Sequence, residues 1–129
     1  MQDNISLIGK IVASRFQYYD TRTRRMSYKS RPVLILKCER NTGASDLTVL
    51  PLSTITNQTN IDPVYDVQVT VSEYPLLGLT RDSYIRSGKI STVHTTNIAR
   101  GSICDLKQIY PDLWTMIITN TKEYIETIE

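Results

Sequence analysis

Arg31 stands immediately before Pro32-Val33-Leu34-Ile35-Leu36, an apolar run stiff enough to hold a guanidinium fork against a phosphate. An ordinary exposed arginine preceding a strand is the plainer alternative. Just upstream, Arg22, Arg24, Arg25 and Lys29 share a short stretch with Tyr18, Tyr19 and Tyr28. Positive charge interleaved with aromatic rings grips single-stranded nucleic acid by phosphate contacts and base stacking, although a solvated charge run has the same composition. His94 is the only histidine. An imidazole suits acid–base work near neutral pH, but it is equally at home on a surface at a strand end. There is no DxD pair, no HxxxH and no compact carboxylate cluster, so neither a catalytic metal nor another cofactor is expected. Cys38 and Cys104 lack CxxC spacing and read as two reduced, partly buried thiols.

These side chains need elements to carry them. Gly9 to Phe16 has β-branched residues after a glycine and suits a first strand, and Gln17 to Ser30 reads as a long basic loop. Pro32 to Cys38 is nearly continuous and apolar, as in a buried central strand, with Pro32 expected at its first position because it lacks a ladder donor. Asn41 and Gly43 supply turn chemistry before Leu47 to Ser53 resumes an extended pattern, which makes a hairpin. Tyr65 to Val71 alternates strictly, so Val67, Val69 and Val71 are expected to face a core. Further strands are expected over Ser83 to Arg86 and around Lys89 to Val93, with Gly88 between them marking a bulge or bend. From Tyr110 the period changes: Pro111 suits a first helical turn, and Leu113, Ile117, Tyr124 and Ile128 recur at helical spacing. Short strands followed by one terminal helix favour a small, strongly curved barrel over an alternating βαβ sheet.

Composition narrows the function classes. A chain of 129 residues with 40% hydrophobic and 22% charged content fits one domain spanning residues 1–129. The net charge of +2 is too small for a protein that coats nucleic acid, so any polyanion site must be local. Met1 to Lys10 contains Asp3 and no apolar run of signal-peptide length, and no segment reaches membrane-spanning length. A cytoplasmic protein without membrane partners is expected.

Taken in order, Gly9-Lys10-Ile11-Val12, a polar loop, Arg31-Pro32-Val33-Leu34-Ile35-Leu36, a strand ending Pro51-Leu52-Ser53-Thr54, and Asp82-Ser83-Tyr84-Ile85 before Thr92 resemble the MazF/PemK toxins of toxin–antitoxin systems. The match runs over about residues 8 to 106 and rests on the order and spacing of the set. It implies a mainly β fold with short helices, a small SH3-like curved barrel of the CcdB/MazF type with a C-terminal helix. It also implies a homodimer whose groove takes single-stranded RNA, and regulation by a cognate antitoxin protein.

Members of the family cleave mRNA at short sequences without metal, leaving a 2′,3′-cyclic phosphate and a 5′-hydroxyl. The ribose 2′-hydroxyl attacks the adjacent phosphorus, so the site needs a proton acceptor, a donor for the departing 5′-oxygen and cations for the phosphoryl charge. The resemblance assigns catalysis to Arg31, and charge stabilisation suits it better than proton donation, because a guanidinium gives up protons poorly. Ser53 matches the family's hydroxyl position, where it would hydrogen-bond a nonbridging oxygen, and Thr54 replaces it if the register slips by one. Strand-end hydroxyls are otherwise common turn formers. Arg86 matches a basic position, and Lys89 and Thr92 lie on the same stretch, giving candidate RNA contacts alongside Arg22, Arg24, Arg25, Lys29 and His94.

Two departures matter. The family's acidic-Gln-x-Arg-Thr segment is here Gly88-Lys89-Ile90-Ser91-Thr92, which keeps only the threonine and lacks a carboxylate that could act as base. The loop before Arg31 also differs from the usual glycine- and glutamate-containing one. A catalytically silent relative is one alternative. Another is a protein-targeting relative such as a CcdB-like gyrase poison, though that activity goes with a Trp-Gly-Ile ending and this chain has its only tryptophan at Trp114. On the helix, Trp114, Met116 and Ile118 lie off the Leu113–Ile117 face, as surplus core or as cover for a partner.

Overall fold

The structure, a computed structural model, describes residues 2–54 and 57–129; Met1, the first residue of the segment read above for targeting signals, lies outside them. In chain order the elements are β1 (Lys10–Asp20), β2 (Arg25–Cys38), β3 (Asp46–Ser53), β4 (Val67–Val69), β5 (Ser83–Ile85), β6 (Ser91–His94), β7 (Cys104–Asp105), α1 (Leu106–Ile109) and α2 (Pro111–Glu126). The strands form one antiparallel sheet in the order β4-β5-β3-β2-β1-β7, with β6 also paired to β3.

The stretch expected to be a basic loop, Gln17 to Ser30, is instead most of a hairpin. β1 and β2 stay in register from Ile11 opposite Leu34 to Asp20 opposite Arg25, and only Thr21–Arg24 turns. Phe16, Tyr18, Tyr19 and Tyr28 are strong strand formers, and their preference prevails over the charge around them. Asp20 closes the turn: its Oδ1 accepts from the amides of Arg22 at 2.9 Å and Thr23 at 3.4 Å. Arg24 completes it in the left-handed region at φ 58°, its amide donating to the Asp20 carbonyl at 2.8 Å.

Pro32 consequently lies inside β2 rather than at its start. It faces Ala13, whose carbonyl accepts from Ala99 on the far side of β1, so the Ala13–Pro32 pair exchanges no bonds across the hairpin. On the other edge of β2, pairing with β3 begins only at Val33 opposite Pro51. The missing N–H therefore falls where the ladder is open.

The outer edge of β3 is divided between two partners. Asp46–Val49 pairs with β6, and Leu52–Ser53 pairs with β5. The β5–β6 connection crosses at the break, where the Arg86 amide donates to the Pro51 carbonyl at 3.0 Å. This division curls the sheet and brings residues 86–91 beside the end of β3.

Two apolar clusters occupy the two faces of the central strands. On one face Ile11, Leu34, Leu50 and Leu52 pack with Leu77, Ile85, Leu113 and Ile117. On the other, Val12, Val33, Ile35 and Val49 meet Leu7, Leu47 and Val93. Burial on both faces is why Val33-Leu34-Ile35 shows no alternation.

Two further expectations change, at Val71 and at Ile128. β4 is short: Val67 and Val69 are buried, but the chain turns at Thr70, whose carbonyl accepts from the Tyr74 amide, and Val71 is 38% exposed. α2 buries Leu113, Ile117 and Thr121, while Ile128 lies past its end and is 68% exposed. Trp114 packs against the core from the edge of the helix, and Met116 is exposed. Gly88 is in a turn and is also a packing position, since a Cβ there would stand 2.9 Å from Tyr124 Cε2. Both cysteines are free and buried.

Candidate functional site

The hairpin formed by β1 and β2 extends past the end of β3, and a groove of about 410 Å³ opens between this arm and the body. Strand parity selects most of the arm residues that reach it. Ser14–Arg31, Phe16–Lys29 and Tyr18–Ser27 are opposed pairs on one side of the ladder. Phe16, Tyr18, Lys29 and Arg31 form the arm wall of the groove, joined by Gln17, the one lining residue of the other parity. The body wall comes from Pro51 and Ser53 of β3 and from Arg86, Lys89 and Ser91 on the β5–β6 segment.

A second depression of about 400 Å³ lies beyond Arg31 and Ser53, and it shares Lys29 with the first while adding Thr54 and Ser83. Arg31 and Ser53, together with Lys29, thus line both of two adjoining hollows. A continuous chain occupying both would pass over these residues.

The cations differ in how they are held. Among the described residues, Arg31 and Lys89 enter no ion pair, and their charges face solvent. Lys29 Nζ lies 5.2 Å from the centroid of the Tyr18 ring, an arrangement that orients the ammonium without neutralising it. Arg86 is tied down. Its Nε donates to Asp66 Oδ2 at 2.8 Å and an Nη to the Asn60 carbonyl at 2.9 Å. The Asp66 side chain is only 1% exposed and also accepts from the Asp62 amide at 3.0 Å. Arg86 therefore braces the groove wall more than it charges it.

The expected site residues separate accordingly. Lys29, Arg31, Ser53, Arg86 and Lys89 converge on the groove, with Thr54 in the adjoining hollow. Thr92 does not join them: Ser91 takes the groove side, so Thr92 turns the other way, toward Lys37, Glu39, Asp46 and Thr48. His94 is a cap. Its Nδ1 accepts from the Thr96 amide at 3.2 Å at the start of a short 3-10 turn. Arg22, Arg24 and Arg25 sit at the tip of the arm, away from these walls. Phe16, Pro51, Ser91 and Asp66 were not singled out from sequence, although the period-two alternation of β6 was a signal for Ser91 over Thr92.

The groove presents cations and hydroxyls, a donor set for a polyanion. Among the described residues, no three His, Cys, Asp or Glu side chains gather. Cys104 stands apart on β7, its thiol pushed above the ordinary value first by burial and then by the Asp105 carboxylate. No helix among the described residues is long and apolar enough to cross a membrane. In comparison with known proteins, no family model matches the chain and no curated protein matches its sequence.

Proposed function

We propose that the chain is a sequence-specific, metal-independent endoribonuclease of the MazF/PemK toxin type, cutting single-stranded mRNA at Arg31 and Ser53. The observation that carries this reading is that these two residues, distant in sequence, both line two adjoining hollows, beside further cations. The curled antiparallel sheet with its terminal helix is in keeping with a small SH3-like barrel of the CcdB/MazF kind.

In the reaction the 2′-hydroxyl gives its proton to water and its oxygen forms a bond to phosphorus as the bond to the 5′-oxygen breaks, and the departing 5′-oxygen takes a proton from water. A cyclic phosphate remains on one product and a hydroxyl on the other. Arg31 donates N–H bonds to the nonbridging oxygens as their charge grows, and the Ser53 hydroxyl adds a further donor. Neither a carboxylate nor an imidazole is among the groove-lining residues, so stabilisation of phosphoryl charge carries most of the rate enhancement. A homodimer of this cytoplasmic toxin would set two such grooves side by side. An acidic antitoxin segment would inhibit by occupying the same cations.

A catalytically silent RNA binder is the second reading, favoured by that lack of a base and by the capture of Arg86 by Asp66. The test incubates protein with long single-stranded RNA in EDTA beside an Arg31→Ala control. Discrete cuts with 5′-hydroxyl ends that vanish in the variant are expected. Intact RNA at high protein concentration would reject the enzymatic reading.

A further inference from the structure

Resting on the groove being a single-strand RNA site, we propose that the groove side of the arm is a rail for the RNA. It would carry one nucleotide per two residues of β2, with the reacting phosphate at Arg31, the next phosphate at Lys29, and a base stacked on Tyr18.

Spacing is the first support. Arg31 and Lys29 are on the same side of one strand, two residues apart, which puts their Cα atoms about 6.8 Å apart at a strand rise of about 3.4 Å per residue. Consecutive phosphates of an extended single strand repeat over a comparable distance. A rigid strand can therefore meet two phosphates in succession without bending the RNA.

The second support is the sorting of aromatic rings. Tyr18 reaches the groove with Lys29 beside its ring, so one residue pair offers a stacking face and an ammonium together. Tyr19 and Tyr28 belong to the other side of the ladder and do not line the groove. Composition alone treats the three tyrosines as equivalent; parity separates them. The third support is where the rail ends. Ser27 is the next residue of β2 on the groove side and carries no charge, so the footprint extends one phosphate beyond the cleavage point toward the tip.

The experiment measures binding of a 20-nucleotide single-stranded RNA, 2′-O-methyl at every ribose so that no 2′-hydroxyl can attack, to the full chain over a salt series. Cleavage of the unmodified RNA is followed in parallel. Tyr18→Ala is expected to weaken binding by about tenfold or more, and Tyr18→Phe to restore it, since stacking needs the ring and not the hydroxyl. Lys29→Ala should lower the slope of log K against log salt by close to one phosphate. Tyr28→Ala, its counterpart on the other side, should stay within twofold of wild type. Equal losses for Tyr18→Ala and Tyr28→Ala, or an unchanged slope for Lys29→Ala, would overturn the rail even if wild type still cuts RNA. Binding with the expected variant pattern but without cleavage would uphold the rail and sink the enzymatic reading. Failure of wild type to bind RNA would remove both.

Discussion

The two ends of one hairpin are built for different purposes. At the body end, Ile11, Val12, Val33, Leu34 and Ile35 are buried, with a packed cluster on each face of the sheet. From Arg15 and Ser30 to the turn, the same two strands leave both faces largely to solvent, with Tyr28 55% and Tyr18 37% exposed. A two-stranded ribbon is only marginally stable in water by itself, so the arm persists because the body anchors it and Asp20 closes its turn. Stability should therefore reside at one end and ligand contact at the other, and substitutions can separate the two.

The largest expected effect falls where the ends meet. Arg31→Ala should lower RNA cleavage by about a hundredfold or more, the usual cost of removing a transition-state donor, while thermal unfolding stays near that of wild type. Leu34 lies three residues further along β2, yet Leu34→Ala should act in the opposite way. It empties a fully buried site and is expected to cost about 2–5 kcal/mol, read from denaturant unfolding. If Arg31→Ala unfolded the protein as readily as Leu34→Ala, the division between the ends would be lost.

Next in size is the pair that braces the body wall. Asp66→Ala removes the buried partner of Arg86, and breaking a buried pair on one side costs roughly 3 kcal/mol. The predicted signature is loss of stability together with a groove that has gained a mobile cation. The variant should therefore melt early yet bind RNA at low salt no more weakly than wild type. Weaker binding, measured well below its melting temperature, would mean that Arg86 works only when Asp66 holds it.

Much of this arrangement could be read from sequence, and the exceptions have physical causes. β3, β5 and the start of α2 were legible because Leu47–Ser53, Ser83–Ile85 and Pro111–Ile117 show their periods without interference. The arm was misread because Arg22, Arg24, Arg25 and Lys29 disguise a run of aromatic strand formers as a polar loop. Arg31 and Ser53 are candidates through a family resemblance, and their proximity follows from β2 and β3 being neighbours. The Asp66–Arg86 pair joins two short segments through tertiary geometry, which no local spacing encodes. Thr92 was singled out because it is the residue of its segment that keeps the family pattern, which says nothing about the face of β6 it takes.

A smaller effect is expected at the tip. Neutralising Arg22, Arg24 and Arg25 together should weaken RNA binding and flatten its salt dependence, but by less than the single change Lys29→Ala, because the tip lies off the groove walls. A larger loss than that of Lys29→Ala would extend the bound strand along the whole arm. His94→Ala should leave both the cleavage rate and its pH profile unchanged, as suits a capping imidazole outside the groove.

The smallest effect is confined to alkaline pH and to the body. Burial, with Asp105 adding to it, makes the Cys104 thiolate costlier in the folded chain than in the unfolded one. Below the ordinary thiol value of 9.0 the group is protonated in both states and its contribution to stability is complete. As pH rises past that value the unfolded chain loses its proton first, so stability declines until the folded thiol ionises as well. Urea midpoints measured from pH 8 upward should fall in wild type and fall less steeply in Cys104→Ala. RNA affinity corrected for the folded fraction should not follow the thiol, because β7 pairs with the body end of β1, at Lys10 and Ile11, and not with the stretch from Phe16 to Tyr18 that lines the groove. An affinity that tracked Cys104 ionisation would show the two ends of the hairpin to be coupled.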